Sequence, residues 1–146
     1  MPEFVIGLNA KVYRNTGSWG TPTWVEVTNI QDVSLAMEAG EFAGNTRGSK
    51  WKKFARTLLE AGVELNMLHK PGYAGQVAIR NAFLDGTLID LAIMDGAITT
   101  SGNEGLRAEM AVLSYNREEP LEEGLTVSST VKPGISANEP EWKVVP

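Results

Sequence analysis

The chain has 146 residues, a formal net charge of −5, 42% hydrophobic residues and no cysteine. This length fits one domain, residues 1–146, and the absence of cysteine excludes disulfides and thiolate metal sites. The negative charge argues against a dedicated nucleic-acid binder, because neutralising phosphates requires an excess of Lys and Arg on one face. No apolar run approaches the roughly 20 residues that span a bilayer, and no signal-peptide pattern is visible, so we expect a soluble protein made in the cytoplasm.

The first part of the chain alternates apolar and polar residues with the period of a β-strand. This alternation predicts strands from Phe4 to Val12, from Trp24 to Thr28 and from Val33 to Glu38. Turn sequences rich in Gly, Ser and Asn separate the first strand from the second. We therefore expect the chain to begin as antiparallel β-structure.

A polar, glycine-punctuated stretch from Gly40 to Lys53 follows the third predicted strand. Loops longer than about 12 residues without secondary structure are uncommon in compact domains and usually serve binding. The sequence thus predicts a long protruding loop, about 40–53, that points toward a partner. It leads into five cations with no acid among them, which are Arg47, Lys50, Lys52, Lys53 and Arg56.

Further strands and one helix are predicted after this loop. The spacing of apolar residues changes from strand to helix over about 73–85, and Asp85-Gly86 offers a helix terminus. The C-terminal tail, 134–146, lacks a clear alternation and is expected to run extended along a surface. The remaining strands are predicted at Ala61–His69, Ile89–Asp95, Leu106–Val112 and Leu125–Val131, with the last two joined by a turn at Glu118–Gly124.

These elements together predict a mainly β protein. The expected fold is an antiparallel β-sandwich or barrel of about seven to eight strands with one α-helix packed against it.

The sequence offers little support for catalysis. The only histidine, His69, lies at the end of a strand pattern without other ligands, so we interpret it as structural and predict no metal. No phosphate loop or dinucleotide motif occurs, so no cofactor is predicted and the protein is not expected to be an enzyme. A group of acids around Pro120 has no partner base or apolar pocket and is interpreted as a solvated charge run. Its members, Glu118, Glu119, Glu122 and Glu123, form an acidic patch that can complement the basic loop of a second copy.

The four tryptophans divide into two pairs. Trp24 and Trp142 lie in strand patterns and are predicted to belong to the core. Trp19 and Trp51 lie in loops beside Gly and polar residues. For these two, ordinary packing and contact with another chain or a ligand remain open alternatives.

The order of segments resembles that of the tail tube (major tail) proteins of long-tailed bacteriophages, over almost the whole chain. The resemblance extends to phage-tail-like particles and to type VI secretion tube proteins. It rests on a series of segments, namely Asn29-Ile30-Gln31-Asp32-Val33-Ser34-Leu35, Thr46-Arg47-Gly48-Ser49 before Trp51, Val63-Glu64-Leu65, the helix through Phe83, Leu91-Ala92-Ile93-Met94-Asp95-Gly96, Gly105-Leu106-Arg107, Glu119-Pro120-Leu121-Glu122 and Thr130-Val131-Lys132-Pro133.

This resemblance implies a structural subunit whose hexameric rings stack into a hollow tube for DNA passage. Its partners would be copies of itself and tape-measure, tail-tip and tail-terminator proteins, in a virion tail assembled from protein made in the host cytoplasm. DNA would pass through the lumen without specific binding. The resemblance is compatible with both contractile and non-contractile tails. The loop 40–53 would be the stacking arm. The implied inter-subunit contacts are Phe42, Thr46, Arg47, Lys50, Trp51, Lys52 and Lys53, together with Glu118, Glu119, Glu122 and Glu123.

Two features qualify this interpretation. The run Lys50-Trp51-Lys52-Lys53 is more basic than the mixed polar sequence that the resemblance leads us to expect. In addition, the loop tryptophans and the all-β pattern also fit a carbohydrate- or receptor-binding β-sandwich, which is the alternative function.

Overall fold

The computed structural model describes residues 10–119, 121 and 124–146. In this part of the chain the protein is mainly β, with eight strands and one helix, as predicted. The elements are β1 (Lys11–Asn15), β2 (Trp24–Glu26), β3 (Ile30–Ala43), β4 (Phe54–Leu68), α1 (Ala74–Asp85), β5 (Leu88–Met94), β6 (Glu104–Glu118), β7 (Thr126–Pro133) and β8 (Glu141–Val144).

The strands form one antiparallel sheet that does not close into a barrel. Its order is β2-β1-β5-β6-β7-β4-β3, so β2 and β3 lie at opposite ends of the strand order. The long strand β6 organises the sheet, because residues 105–111 pair with β5 and residues 110–118 pair with β7. Strand β8 pairs with the start of β6, at residues 104–107.

The hydrophobic core lies on one face of this sheet and is covered by α1. Alternate side chains of the central strands point to this face, as the two-residue period of a strand requires. The helix contributes Ile79 and Ala82 to the same cluster. A second, smaller cluster on the other face of β1 and β5 contains Tyr13, Ala92, Met94 and Ile98. The sheet residues of the main cluster include Val63, Leu65, Met67, Leu91, Leu106, Ala108, Met110, Val127 and Val131.

The predicted helix is confirmed, and polar side chains fix its start. It ends before Gly86, whose φ of 70° is the left-handed conformation that glycine adopts at a helix C-terminus. At its start, the buried Gln76 accepts a hydrogen bond from Lys70 N (2.9 Å) and its amide nitrogen lies 2.7 Å from His69 Nδ1. His69 thus helps to hold α1 against the sheet. No helix in the described residues is long and apolar enough to cross a membrane.

Several predicted boundaries need correction. Strands β3 and β4 extend to Ala43 and back to Phe54, so the connection between them is residues 44–53 and not 40–53. The tail contains β8, and Trp142, predicted in the core, is 49% exposed. Residues Phe4–Asn9 of the first predicted strand lie outside the described residues. So do Pro120, Glu122 and Glu123.

Candidate assembly surfaces

Strands β3 and β4 continue beyond the rest of the sheet as a two-stranded ribbon. We define the ribbon as residues 37–43 and 54–61, which pair with each other from Met37 opposite Ala61 to Ala43 opposite Phe54. Strand β7 pairs with β4 only over 63–68, and no described strand pairs with the outer edges of the ribbon. Two-stranded hairpins are marginally stable in water on their own. The ribbon is therefore a surface that a further chain can stabilise.

The ribbon exposes large apolar side chains. Leu58 is 86% exposed and Leu59 is 70% exposed, and Met37, Phe42 and Phe54 are each more than half exposed. Several large exposed apolar side chains on one element are typical of an interaction site. The ribbon thus has the composition of an interface rather than of a solvated loop.

A bulge bends the ribbon near its middle, where the register shifts between Ala39 and Glu41. A Cβ on Gly40 would clash with Thr57 Oγ1, so a larger residue at this point requires the exposed Thr57 side chain to move. The bulge is a local feature that sets the direction of the outer half of the ribbon.

The connection at the end of the ribbon, residues 44–53, is an ordered turn, which we call the tip. Gly44 N donates to Lys53 O (2.8 Å), and Lys53 N donates to Asn45 Oδ1 (3.1 Å). Trp51 N donates to Ser49 Oγ (3.2 Å), while the Trp51 side chain is 78% exposed. The structure brings seven of the predicted contact residues together at this end, all of them exposed: Phe42, Thr46, Arg47, Lys50, Trp51, Lys52 and Lys53.

The tip presents uncompensated positive charge. Between Phe42 and Leu59 the sequence has five cations and no carboxylate. Within the described residues, the ion pairs involve cations elsewhere, such as Lys11 and Arg117. Arg56 has Glu41 as its cross-strand neighbour, so it is the cation of this group with an acid opposite it. The cations of the tip itself are available to a partner's carboxylates.

The described part of the acidic patch lies at the opposite end of the molecule. In the register of the sheet, Leu68 is opposite Thr126 and Thr126 is opposite Glu118. Because Phe54 lies 14 residues before Leu68 on β4, roughly 45 Å of strand separates the tip from Glu118. Glu119 forms an ion pair with Arg117 (2.7 Å). The two charged ends therefore do not meet within one molecule.

The sheet face opposite the core is polar where β3, β4, β7 and the end of β6 run side by side. Directly paired residues of neighbouring strands share a face, so the register places their side chains in rows. Lys132 Nζ lies 3.4 Å from Glu60 Oε1 on this surface. We call it the polar face, and its rows are Asp32, Asn66, Ser128 and Asn116; Ser34, Glu64, Thr130 and Ser114; Ala36, Gly62 and Lys132; and Glu38 and Glu60.

Trp19 is engaged within its own chain. The guanidinium of Arg107 lies 3.8 Å from the centre of the Trp19 ring and donates to Trp19 O (2.9 Å). The other neighbours of this buried arginine are Trp24, Asp90 and Glu141, with ion pairs of 2.9 Å to Asp90 and 3.4 Å to Glu141. From the sequence, the alternation of β6 predicts that Arg107 lies on the strand face opposite the aliphatic residues next to it. It does not predict that the β1–β2 loop covers and buries this arginine. Of the two loop tryptophans, Trp51 is the one with a free ring.

The fold is that of phage tail tubes and related injection tubes, as solved structures show at low sequence identity. A chain from the tail of the empty gene transfer agent (GTA) particle, solved with C6 symmetry, matches with a TM-score of 0.74 at 12% identity. The match covers 95% of this chain and 98% of that one. A chain of the SPP1 tail tube matches with a TM-score of 0.73 at 15% identity, over 88% of this chain and 74% of that one.

The fold also occurs in a contractile device. A chain of the PVC sheath-tube complex, an extracellular contractile injection system, matches with a TM-score of 0.65 at 8% identity, over 97% and 92% of the two chains. No protein-family model and no curated protein matches the sequence. The resemblance predicted from the sequence is thus confirmed at the level of the fold.

Proposed function

We propose that this chain is a structural subunit that assembles with copies of itself into the hollow tube of a phage-tail-like particle. The observation that carries the proposal is the exposed ribbon, which ends in a cationic tip and has no cover in the described part of the chain. The shared fold with the GTA tail and the SPP1 tail tube supports it. No catalytic role is assigned, and passage of DNA through the tube is the function of the assembly.

Stacking uses the two charged ends. The tip of one copy contacts the acidic end of the next, with Arg47, Lys50, Lys52 and Lys53 facing Glu118 and its acidic neighbours. Complementary patches at opposite ends make a heterologous, head-to-tail contact, which propagates without limit. Trp51 is the apolar anchor of this contact, because exposed aromatic residues in interfaces contribute more binding energy than their neighbours.

Ring closure uses the sheet edges. The edge of β3 that no described strand covers offers backbone donors and acceptors along 14 residues to a strand of the adjacent subunit. The C6 symmetry of the matching GTA tail supports six subunits per ring. Tape-measure, tail-tip and tail-terminator proteins are the further partners that a tube of finite length requires.

Electron microscopy tests this function directly. Purified protein is examined by negative stain at increasing concentration and at low and high salt, with sedimentation velocity on the same samples. Rings or tubes with a central channel are the expected result. A protein that remains monomeric at every concentration and salt, with no tubes on the grid, would contradict self-assembly.

A further inference from the structure

We infer that His69 and Gln76 form a pH-sensitive latch, which holds the start of α1 while the imidazole is neutral and opens when the ring takes up a proton. Gln76 is buried in the first turn of α1, with 4% of its surface exposed, and His69 directly follows β4. The latch lies within one chain, so the inference does not depend on the proposed function.

The first argument comes from the way α1 begins. Its N-cap residue, Tyr73, makes no side-chain hydrogen bond to the helix, and the first turn has no acidic residue. Side chains of these kinds usually satisfy the free N–H groups at a helix start. The Tyr73 hydroxyl instead donates to Glu26 O (3.0 Å) and accepts from Thr28 N (2.9 Å). The start of α1 is therefore held by other contacts, among them those of Gln76.

The second argument comes from the orientation of the Gln76 amide, which backbone groups fix. Lys70 N is a backbone donor that lies 2.9 Å from Gln76 Oε1, so the amide oxygen must face it. Asn29 Nδ2 also donates to Gln76 Oε1 (3.0 Å), and its own orientation is fixed because it donates to Leu68 O (2.8 Å). The amide nitrogen of Gln76 thus points the other way, toward His69.

The imidazole of His69 therefore has to accept a hydrogen bond. Gln76 Nε2 lies 2.7 Å from His69 Nδ1 and 3.2 Å from Tyr115 Oη, so its two hydrogens have two acceptors. Because an amide nitrogen only donates, Nδ1 carries no proton, and the proton of the neutral ring lies on Nε2. All four hydrogen bonds that the Gln76 amide can form are then made.

Protonation of the ring is incompatible with this arrangement. An imidazolium donates from both nitrogens, so two N–H donors would face each other across 2.7 Å. Turning the Gln76 amide over does not resolve the conflict, because its oxygen would then leave Lys70 N and Asn29 Nδ2. Either the ring or the start of α1 has to move, and the latch opens.

The charged groups near His69 act on the ring in addition to Gln76. Within the described residues, α1, the segment before β3 and the segment before β7 contribute uncharged contacts, through Gln76, Asn29 and Leu125. The Glu119 carboxylate is already paired with Arg117 (2.7 Å). The charged or titratable groups on this side of the sheet are Lys70, Tyr73, Tyr115, Arg117 and Glu119. The contact of the ring that protonation changes is therefore its hydrogen bond with Gln76.

Nuclear magnetic resonance of the monomeric chain tests the latch, because the single histidine gives one imidazole signal. Nitrogen spectra at pH about 8 are expected to show the ring proton on Nε2. Amide protection factors, which remove the intrinsic pH dependence of hydrogen exchange, are then compared at pH about 8 and about 5, on either side of the ordinary imidazole range.

The amides at the start of α1 are expected to respond to acid. Lys70 N donates to Gln76, and Val77 N forms the first helical bond, to Tyr73 O (2.9 Å). Their protection should fall about tenfold when the ring is protonated, the order of one lost hydrogen bond. Asp95 N, which donates to Glu104 O (3.0 Å) away from the latch, should keep its protection.

Two variants separate the latch from a general effect of acid. His69→Asn keeps an uncharged acceptor at the place of Nδ1 and should abolish the acid response of both amides. Gln76→Glu offers the ring a carboxylate, which accepts from an imidazolium, so protection should be higher in acid than in base. If Gln76→Glu does not fold, His69→Asn alone decides. A proton on Nδ1 at pH about 8, equal protection at the two pH values, or an unchanged acid response in His69→Asn overturns the latch. None of these results bears on tube formation, so the latch and the proposed function can fail separately.

Discussion

At the scale of single residues, Arg107 is a buried charged group held by several partners. Its guanidinium lies against the rings of Trp19 and Trp24 and pairs with Asp90, whose side chain is only 10% exposed. Arginine suits this position because its planar group stacks on aromatic rings and donates to a carboxylate at the same time. A single side chain thus ties the β1–β2 loop to β5 and β6.

Arg107→Met should therefore be strongly destabilising. The variant leaves Asp90 buried with Asn15 as its remaining donor, and removal of one partner of a buried ion pair costs about 3 to 5 kcal/mol. Denaturant unfolding of the monomer measures the loss. Arg117→Met is the control, because that ion pair is exposed and is worth less than about 1 kcal/mol. Equal stability losses in the two variants would contradict a buried-pair role for Arg107.

At the scale of elements, the segment between β7 and β8 is held by one carboxylate. Glu109 on β6 accepts hydrogen bonds from Ser136 Oγ (2.7 Å) and Asn138 Nδ2 (2.8 Å). These two bonds, the first from Ser136 and the second from Asn138, lower the pKa of Glu109 below its ordinary value. The carboxylate form is therefore the one that positions the tail for β8.

The lowered pKa gives this contact a defined pH dependence. Because the folded-state pKa lies below the unfolded one, the contact stabilises the fold above the ordinary glutamate value and is lost as the pH falls through the lowered pKa. An NMR titration of the Glu109 carboxyl carbon should show the low midpoint. The same titration of a Ser136→Ala, Asn138→Ala variant should show a higher midpoint, and an unchanged midpoint would remove the two bonds as its cause.

The sequence predicted the elements that have one buried face and missed those that do not. The strand around Val63 and Leu65 and the helix ending at Asp85 were recognisable because burial imposes a period on apolar residues. The outer halves of β3 and β4 are exposed on both faces, so little alternation marks them; the sequence assigned residues 40–43 to the loop and residues 54–60 to no element. The residues of the tip were singled out from the family resemblance and from their charge and aromatic content, and their role as contacts stays a prediction. The polar face was not predicted from the sequence, because its residues come from four strands and only the register of those strands places them side by side.

At the scale of the whole molecule, positive and negative charge are concentrated at opposite ends. The cationic tip and Glu118 lie at opposite ends of β4 and its neighbours, while the polar face between them is acidic. A molecule with one basic and one acidic end orients copies of itself in the same direction during encounter, and this steering weakens with salt. In the proposed assembly, this charge pattern would set the direction of stacking, and the exposed apolar residues of the ribbon would supply contact area.

Arg47→Glu and the pair Lys52→Glu with Lys53→Glu should therefore weaken stacking without unfolding the subunit. Exposed charges contribute little to folding, so the unfolding midpoint of the monomer should stay close to that of the natural chain. Arg80→Glu is the matched control, since Arg80 is an exposed arginine on α1, away from the tip. Light scattering against protein concentration measures assembly, and the tip variants should need more protein than Arg80→Glu, with a smaller difference at high salt. Equal assembly of tip and control variants would show that charge does not drive stacking, and the contact would then depend on Trp51 and the apolar surface of the ribbon.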